Sequence, residues 1–591
     1  MRFFSVLVAS VLGTLIALGL LLILGALFVI AIVASSTSTT PSVQTGSVLV
    51  LDLSGPVPEL TIDDPFLNLI DARPGFGLHD IKQSLSEATS DPQIEAVWIR
   101  PQGVQAGWAT LDEIRKALVE FKSSGKPLYA SGGDYGMNEA DYFLASAADS
   151  IYSAPGTFFE FNGLYLGVTF YKGLLDKLEI EPTILRAGKF KGAVEPFFRE
   201  NLSEENREQL QALVDQWYGL LTRTIADSRK LTEEEVSQLM VEEALITASQ
   251  AHEQGLLDGL FYNDEIQDRI QSAIGRSGDM RRIRLQSYKY VASSRADSRS
   301  GSAGAIGVVY ASGIITGGES STRAGNVGSS TFEKAMRSVR ENDRIKAVVV
   351  RIDSPGGSAT ASDAMWHAVD LTAAEKPVVI SMGDLAASGG YWLATAGDTI
   401  VTSPQTITGS IGVYGIHFSL GQMMESKLGI TSDIVATGSF ADMFSGMTPL
   451  DARERALLEG AIDETYTEFV RKVAASRSMS IERIEELAQG RIWTGQDAYE
   501  LGLADVMGEL DTAIVLAAEM ASLEEDQYRI FRLPKPKTIL EEFTDVLMVR
   551  SRMLFESPWK TKLREEARLL EELSHMQREP LARMPWDFQL W

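Results

Sequence analysis

Cysteine is absent from this 591-residue chain, which removes thiol nucleophiles, thiolate-bound zinc and disulfides together. Histidine is scarce: His79, His252, His367, His417 and His575 lie scattered, without metal-ligand spacing. Cations are the third shortage. Against 80 Asp plus Glu stand only 54 Lys plus Arg, a formal net charge of -26, so the surface repels polyanions and nucleic acid is not an expected partner. The remaining composition, 45% apolar and 23% charged with 50 Gly and 20 Pro, excludes disorder and collagen and suits a chain of several domain-sized units.

One stretch has almost no polar residues. From Phe3 to Ala34 only Ser5, Ser10 and Thr14 interrupt an apolar run. At ~1.5 Å per residue a helix of that length exceeds the ~30 Å hydrocarbon core. A cleaved signal peptide is the rival, but its apolar region usually spans about 7 to 15 residues. The reading is therefore one N-terminal transmembrane helix within 1–34, in contact with membrane lipid through residues 3–34. Arg2 precedes it and no cationic cluster follows, which leaves the amino end in the cytoplasm and the rest outside. Residues 35–46, rich in Ser and Thr, read as a tether.

The remainder repeats itself at an offset of about 250 residues. AVWIRPQG from Ala96 matches AVVVRIDSPGG from Ala347, and the segment from Lys126 matches that from Lys376. YKGLLDKLEIEPTILRAGKFKG from Tyr171 pairs with LGQMMESKLGITSDIVATGSFAD from Leu420, and the helical pattern from Leu202 pairs with that from Leu450. Short apolar strands alternate with amphipathic helices, which predicts βαβ crossovers, a largely parallel sheet and an α/β class. The repeats span 47–292 and 306–535. Between them 293–305 reads as a linker, and 536–591 reads as a helical tail.

In open α/β sheets ligands meet the turns at the carboxyl ends of strands. Two Gly-rich turns of the second repeat qualify: Asp353-Ser354-Pro355-Gly356-Gly357-Ser358 and Gly383-Asp384-Leu385-Ala386-Ala387-Ser388-Gly389-Gly390. A serine at a strand-to-helix turn, followed by free N–H groups, suits a nucleophile beside an oxyanion hole. The plain alternative is that Ser388 is a helix cap. A serine also needs a base. His417 is one candidate. The other is a lysine that burial keeps neutral. The first repeat carries Lys189 and Lys191 where the second has Ser439 and Ala441, and it has Asn138 opposite Ser388, so each repeat holds half of a possible Ser/Lys pair. Read as a strand, the segment puts Lys189 and Lys191 on one face and does not choose between them.

Taken together, SGGDYGMNEADYFLA, GKFKGAVEPF, IDSPGGSATASD, GDLAASGGYWLAT and TSPQTITGSIGVYG, in this order behind an apolar amino-terminal run, resemble the signal peptide peptidase A family in its long, internally duplicated form. The resemblance implies two Clp/crotonase-like domains, Ser388 as nucleophile and Lys191 as general base. It further implies that the Ser410 hydroxyl orients the lysine and that N–H groups of Gly389 and Gly357 form the oxyanion hole. No cofactor or metal is required. By the same resemblance the substrates are hydrophobic peptides, signal-peptide remnants left after their release from secreted proteins, and the assembly is a homotetramer. The place is the bacterial inner membrane, single-pass, with catalytic domains on the periplasmic side. Competing readings are a Clp-like Ser-His protease using His417 and a crotonase-like acyl-CoA enzyme.

Overall fold

The computed structural model describes residues 42–61, 75–133, 136–299, 301, 304–321, 325–524, 527–534 and 580–584, with six isolated positions between 13 and 20. The expected span from Phe3 to Ala34 lies largely outside the described residues, and among those described no helix is long and apolar enough to cross a membrane.

Two sheets of matching design form the frame. In the first repeat six strands run parallel in the order Arg282–Arg284, Ser47–Pro56, Ile94–Gln105, Leu128–Ser131, Ser150–Ser153, Gly259–Leu260. The second repeat places Tyr528–Leu533, Gly304–Ser312, Ile345–Ser354, Val378–Ala387, Thr399–Thr402 and Val506–Met507 in the same order, again all parallel. Ile407–Gly409 branches off Val378–Ala387 and carries the antiparallel Ile492–Thr494 at its edge. Central strands such as Ile345–Ser354 are apolar runs buried on both faces, as parallel sheets covered by helices require. The chain is thus mixed α/β, built on two repeats.

The duplication reaches individual hydrogen bonds. Lys126 Nζ donates to the carbonyls of Ala88 and Asp91, and Lys376 Nζ to those of Val339 and Asn342. The Tyr142 hydroxyl donates to Leu256 O, and that of Tyr391 to Leu503 O. The long helices Glu204–Arg229 and Ala452–Arg477 start on Ser203 and Asp451, whose side chains accept from N–H groups of the first turn.

Two expectations change. The segment read as a linker begins as helix: Leu285–Arg299 runs well into it. Its lack of periodicity is overridden by Arg295, whose guanidinium reaches the buried Asp91 carboxylate at 2.6 Å. The tail, read as helical, is described only at 580–584, where Leu581–Arg583 is a strand. Pro580 and Pro585 bracket it, which disfavours a helix there, and strand edges on both sides take its hydrogen bonds.

A third sheet joins the repeats. Its order is Asn326–Gly328, Ile314–Thr316, Gly356–Ser358, Leu581–Arg583, Val413–Ser419, Glu181–Ala187. The last two pair antiparallel from Val413 with Ala187 to Ser419 with Glu181, so a strand of the first repeat is the outer strand of a sheet otherwise built from the second repeat and the tail.

Candidate active site

The buried strand Val378–Ala387 delivers Ser388 into a sharp turn with φ 54 and ψ -111. A non-glycine residue rarely holds a positive φ. Here backbone bonds on both sides hold it: Ser388 N–H donates to Gly409 O at 2.8 Å, and Trp392 N–H to Ser388 O at 2.8 Å. The helix Gly389–Ala394 follows at once. Gly389 is required by crowding, since a Cβ there would stand 2.4 Å from Ser362 Oγ and 3.3 Å from the Gly356 Cα. The two Gly-rich turns therefore meet.

The helix-cap alternative is realised in the first repeat and not in the second. Asn138 accepts the Asp141 N–H and caps the helix Glu139–Ala145. Ser388 occupies the equivalent place without a side-chain capping bond, and its Oγ lies 2.7 Å from Lys191 Nζ.

Lys191 reaches that point from the strand Glu181–Ala187. The strand ends before the lysines, so the expectation that Lys189 and Lys191 share one strand face does not hold. Gly188, at φ 107, turns the chain. Lys189 is left exposed against the Phe190 ring, while Lys191 is completely buried. The turn is clamped by the second repeat. Phe190 N–H donates to Gln489 O at 2.8 Å, and Gln209 bridges the repeats by donating to Phe190 O at 3.1 Å and accepting from Ile492 N–H at 3.0 Å. A Cβ on Gly490 would stand 2.7 Å from that of Lys191.

Around the Lys191 amine lie Ser388 Oγ at 2.7 Å, Ser410 Oγ at 2.9 Å and Ser410 O at 3.0 Å. Ser410, at φ 50, is held by its N–H to Arg491 O at 2.7 Å. None of these partners is charged. Burial alone pushes the amine well below its ordinary pKa of 10.5, so the group favours the neutral form that can accept a proton.

His417 is not drawn into this cluster. It lies opposite Thr183 in the strand Val413–Ser419, 1% exposed, and makes no hydrogen bond to Ser388. Burial lowers its basicity. Gly357, in the strand Gly356–Ser358, pairs with Ile315 on one side and Ala582 on the other. Among the described residues no group of His, Asp or Glu is arranged to hold a metal ion.

Gln209 and the Gln489–Arg491 turn escaped the reading of the sequence. A signal for Gln209 was present: its counterpart in the second repeat is Leu457, the same kind of asymmetry that singles out Lys191. The glutamine is buried and bonded, whereas the leucine is exposed.

Comparison with known proteins agrees with this arrangement. The profile of Peptidase family S49 matches residues 120–275 and again 370–524, and that of Clp protease matches 314–406. The chain is 33% identical over 505 residues to the chloroplastic serine protease SPPA of Arabidopsis thaliana, covering 85% of this chain and 73% of that one. It is 34% identical over 458 residues to Protease 4 of Salmonella typhi, 76% of this chain and 72% of that one. A shorter match, 30% over 184 residues, joins it to a putative signal peptide peptidase SppA of Enterococcus faecium, 31% of this chain and 53% of that one. With the family unit present twice and relatives aligned over most of its length, this chain belongs to peptidase family S49 and is a serine protease of that family.

Proposed function

We propose that this chain is a serine endopeptidase working through a Ser388/Lys191 dyad. The observation that carries the reading is a fully buried amine, with uncharged neighbours only, 2.7 Å from a serine hydroxyl on a strained strand-to-helix turn. A neutral amine has two N–H groups and one lone pair. With the N–H groups donating to Ser410 O and Ser410 Oγ, the lone pair faces Ser388 and accepts its proton.

Attack by Ser388 Oγ on a peptide carbonyl then moves that proton to Lys191. The developing oxyanion meets the N–H groups of Gly389 and Gly357. Lys191 protonates the leaving amine, and a water molecule deprotonated by the same lysine releases the acyl group. Every step uses groups of this chain and the substrate.

The substrates in this reading are hydrophobic peptides, signal-peptide remnants among them, a class consistent with the name carried by the Enterococcus relative. The apolar run 3–34 would anchor the chain in the bacterial inner membrane with its catalytic part on the periplasmic side, and four copies would assemble. Hydrolysis of an unstructured apolar peptide by the full chain, and by Ser388→Ala and Lys191→Ala separately and mixed, tests the dyad. Each variant should lose at least about 10^4-fold in turnover. The mixture should regain nothing, because both side chains come from one polypeptide. A fluorophosphonate should label the native chain and not Ser388→Ala; wild-type turnover by Lys191→Ala would refute the dyad.

A further inference from the structure

The third sheet contains one strand that does not belong to either repeat. Leu581–Arg583 lies between Gly356–Ser358 and Val413–Ser419, antiparallel to both. Without it these two strands would flank a gap one strand wide, open to any extended peptide that can complete the ladder.

The register aligns this strand with the reacting groups. Gly356, Gly357 and Ser358 stand opposite Arg583, Ala582 and Leu581. Ala359 N–H donates to Pro580 O at 3.1 Å, and Met584 N–H to Pro355 O at 2.5 Å. Hydrogen-bonded pairs recur every second residue in an antiparallel ladder. Gly357 and Ala582 are therefore the bonded pair between them, and the Gly357 N–H points at the Ala582 carbonyl. The same oxygen lies beside the Ser388 turn: it is 2.9 Å from the point where a Cβ on Gly389 would stand. A Cβ on Gly356 would be 2.2 Å from this oxygen and 2.6 Å from the Gly389 nitrogen. One carbonyl thus sits next to both proposed oxyanion donors.

The side chains fit as a ligand's would. Ala582 is wholly buried, Leu581 packs with Val194, Tyr414 and Ile416, and Met584 is buried on the far side.

We propose that residues 580–584 occupy the peptide slot of the chain's own active site, and that Ser388 cuts the Ala582–Arg583 bond, releasing Arg583–Trp591. The inference rests on the Ser/Lys reading above. Ser388 Oγ bonds to the Ala582 carbonyl carbon, the bond to the Arg583 nitrogen breaks, and the proton taken by Lys191 passes to that nitrogen. Water then cleaves the ester, returning a proton to Ser388 Oγ and leaving a carboxylate on Ala582. One water is consumed. The same geometry assigns the groove's preference: an extended strand with a small residue on the acyl side and an aliphatic one before it.

Intact-mass measurement of the purified full chain, with an unstructured apolar peptide as a parallel substrate, tests this. The native chain should lose Arg583–Trp591 and end at Ala582, while Ser388→Ala should keep its full mass. Ala582→Trp should slow removal at this bond at least about tenfold, because the pocket has no room for the ring, and should still hydrolyse the added peptide. A native chain that cuts the peptide but keeps its tail, trims it at another bond, or trims it equally as Ser388→Ala overturns this inference alone. A chain that cuts neither substrate overturns the dyad reading with it.

Discussion

At the scale of single residues the chemistry turns on the protonation of Lys191. Its amine is held well below the usual lysine range by burial. An unfolded lysine keeps its proton to about pH 10.4. Between the lowered native value and that limit the unfolded chain binds more protons than the folded one, so this group's contribution to stability rises with pH across the window. Below the native pKa the folded site is protonated as well and the slope vanishes. Two outcomes follow for Lys191→Met, a side chain of similar length with no proton to lose. Turnover of an apolar peptide should fall by roughly 10^4-fold. Yet the midpoint of chemical denaturation at pH 7 should equal or exceed that of the native chain. Native turnover should climb with pH through the lowered lysine value, and a flat profile would deny Lys191 the role of base.

At the scale of elements the dyad depends on a turn from one repeat wedged into the other. The strand Glu181–Ala187 is registered on Val413–Ser419 by a continuous antiparallel ladder. The residues after it are then gripped by Gln209 and by the Gln489–Arg491 turn, with the Arg491 guanidinium 4.9 Å from the Phe190 ring centroid. Gly490 is the tightest point, at φ 76 and with its missing Cβ directed at the Lys191 backbone. In Gly490→Ala the strained φ should cost about 1 to 2 kcal/mol. The larger effect should be on rate, because the added methyl displaces Lys191 from Ser388, and a displacement of this size can cost about 100-fold. A kcat that falls at least about tenfold with a nearly unchanged KM would show this. Unchanged kcat would mean the clamp does not position the lysine.

At the scale of the whole molecule the repeats are locked by a buried ionic cluster. Arg351 is 0% exposed; its Nε reaches Glu59 at 2.8 Å and its Nη2 reaches Glu113 at 2.7 Å, both carboxylates from the first repeat. Asp384, four residues before the nucleophile, accepts from Gly107 N–H, Thr110 N–H and Thr110 Oγ–H across the same boundary. The counterpart of Arg351 is Arg100, which meets Asp52 at the partly exposed edge of the first sheet. Deleting one partner of a buried pair strands the other charge, so Arg351→Met should lose about 3 to 5 kcal/mol in denaturant unfolding. Activity should fall at lower denaturant than in the native chain, because separating the repeats separates the dyad. A variant as stable as the native chain would mean the cluster contributes no net lock.

The sequence alone determined the α/β class, the two repeats and the identity of Ser388 as the candidate nucleophile, because apolar strands, Gly-rich turns and internal similarity are local patterns that survive without coordinates. It also narrowed the base to a few residues, through the difference between repeats at Lys191. Only the tertiary structure separated Lys191 from Lys189, since the deciding quantity is burial, and burial is set by the Gln489–Arg491 turn roughly 300 residues away along the chain. The helical continuation into the expected linker and the strand at 580–584 were likewise decided by distant partners: Asp91 for the first, the open edges of Gly356–Ser358 and Val413–Ser419 for the second. Local propensity is worth a few tenths of a kcal/mol per residue, up to about 1, and a buried ion pair or a completed strand ladder outweighs it.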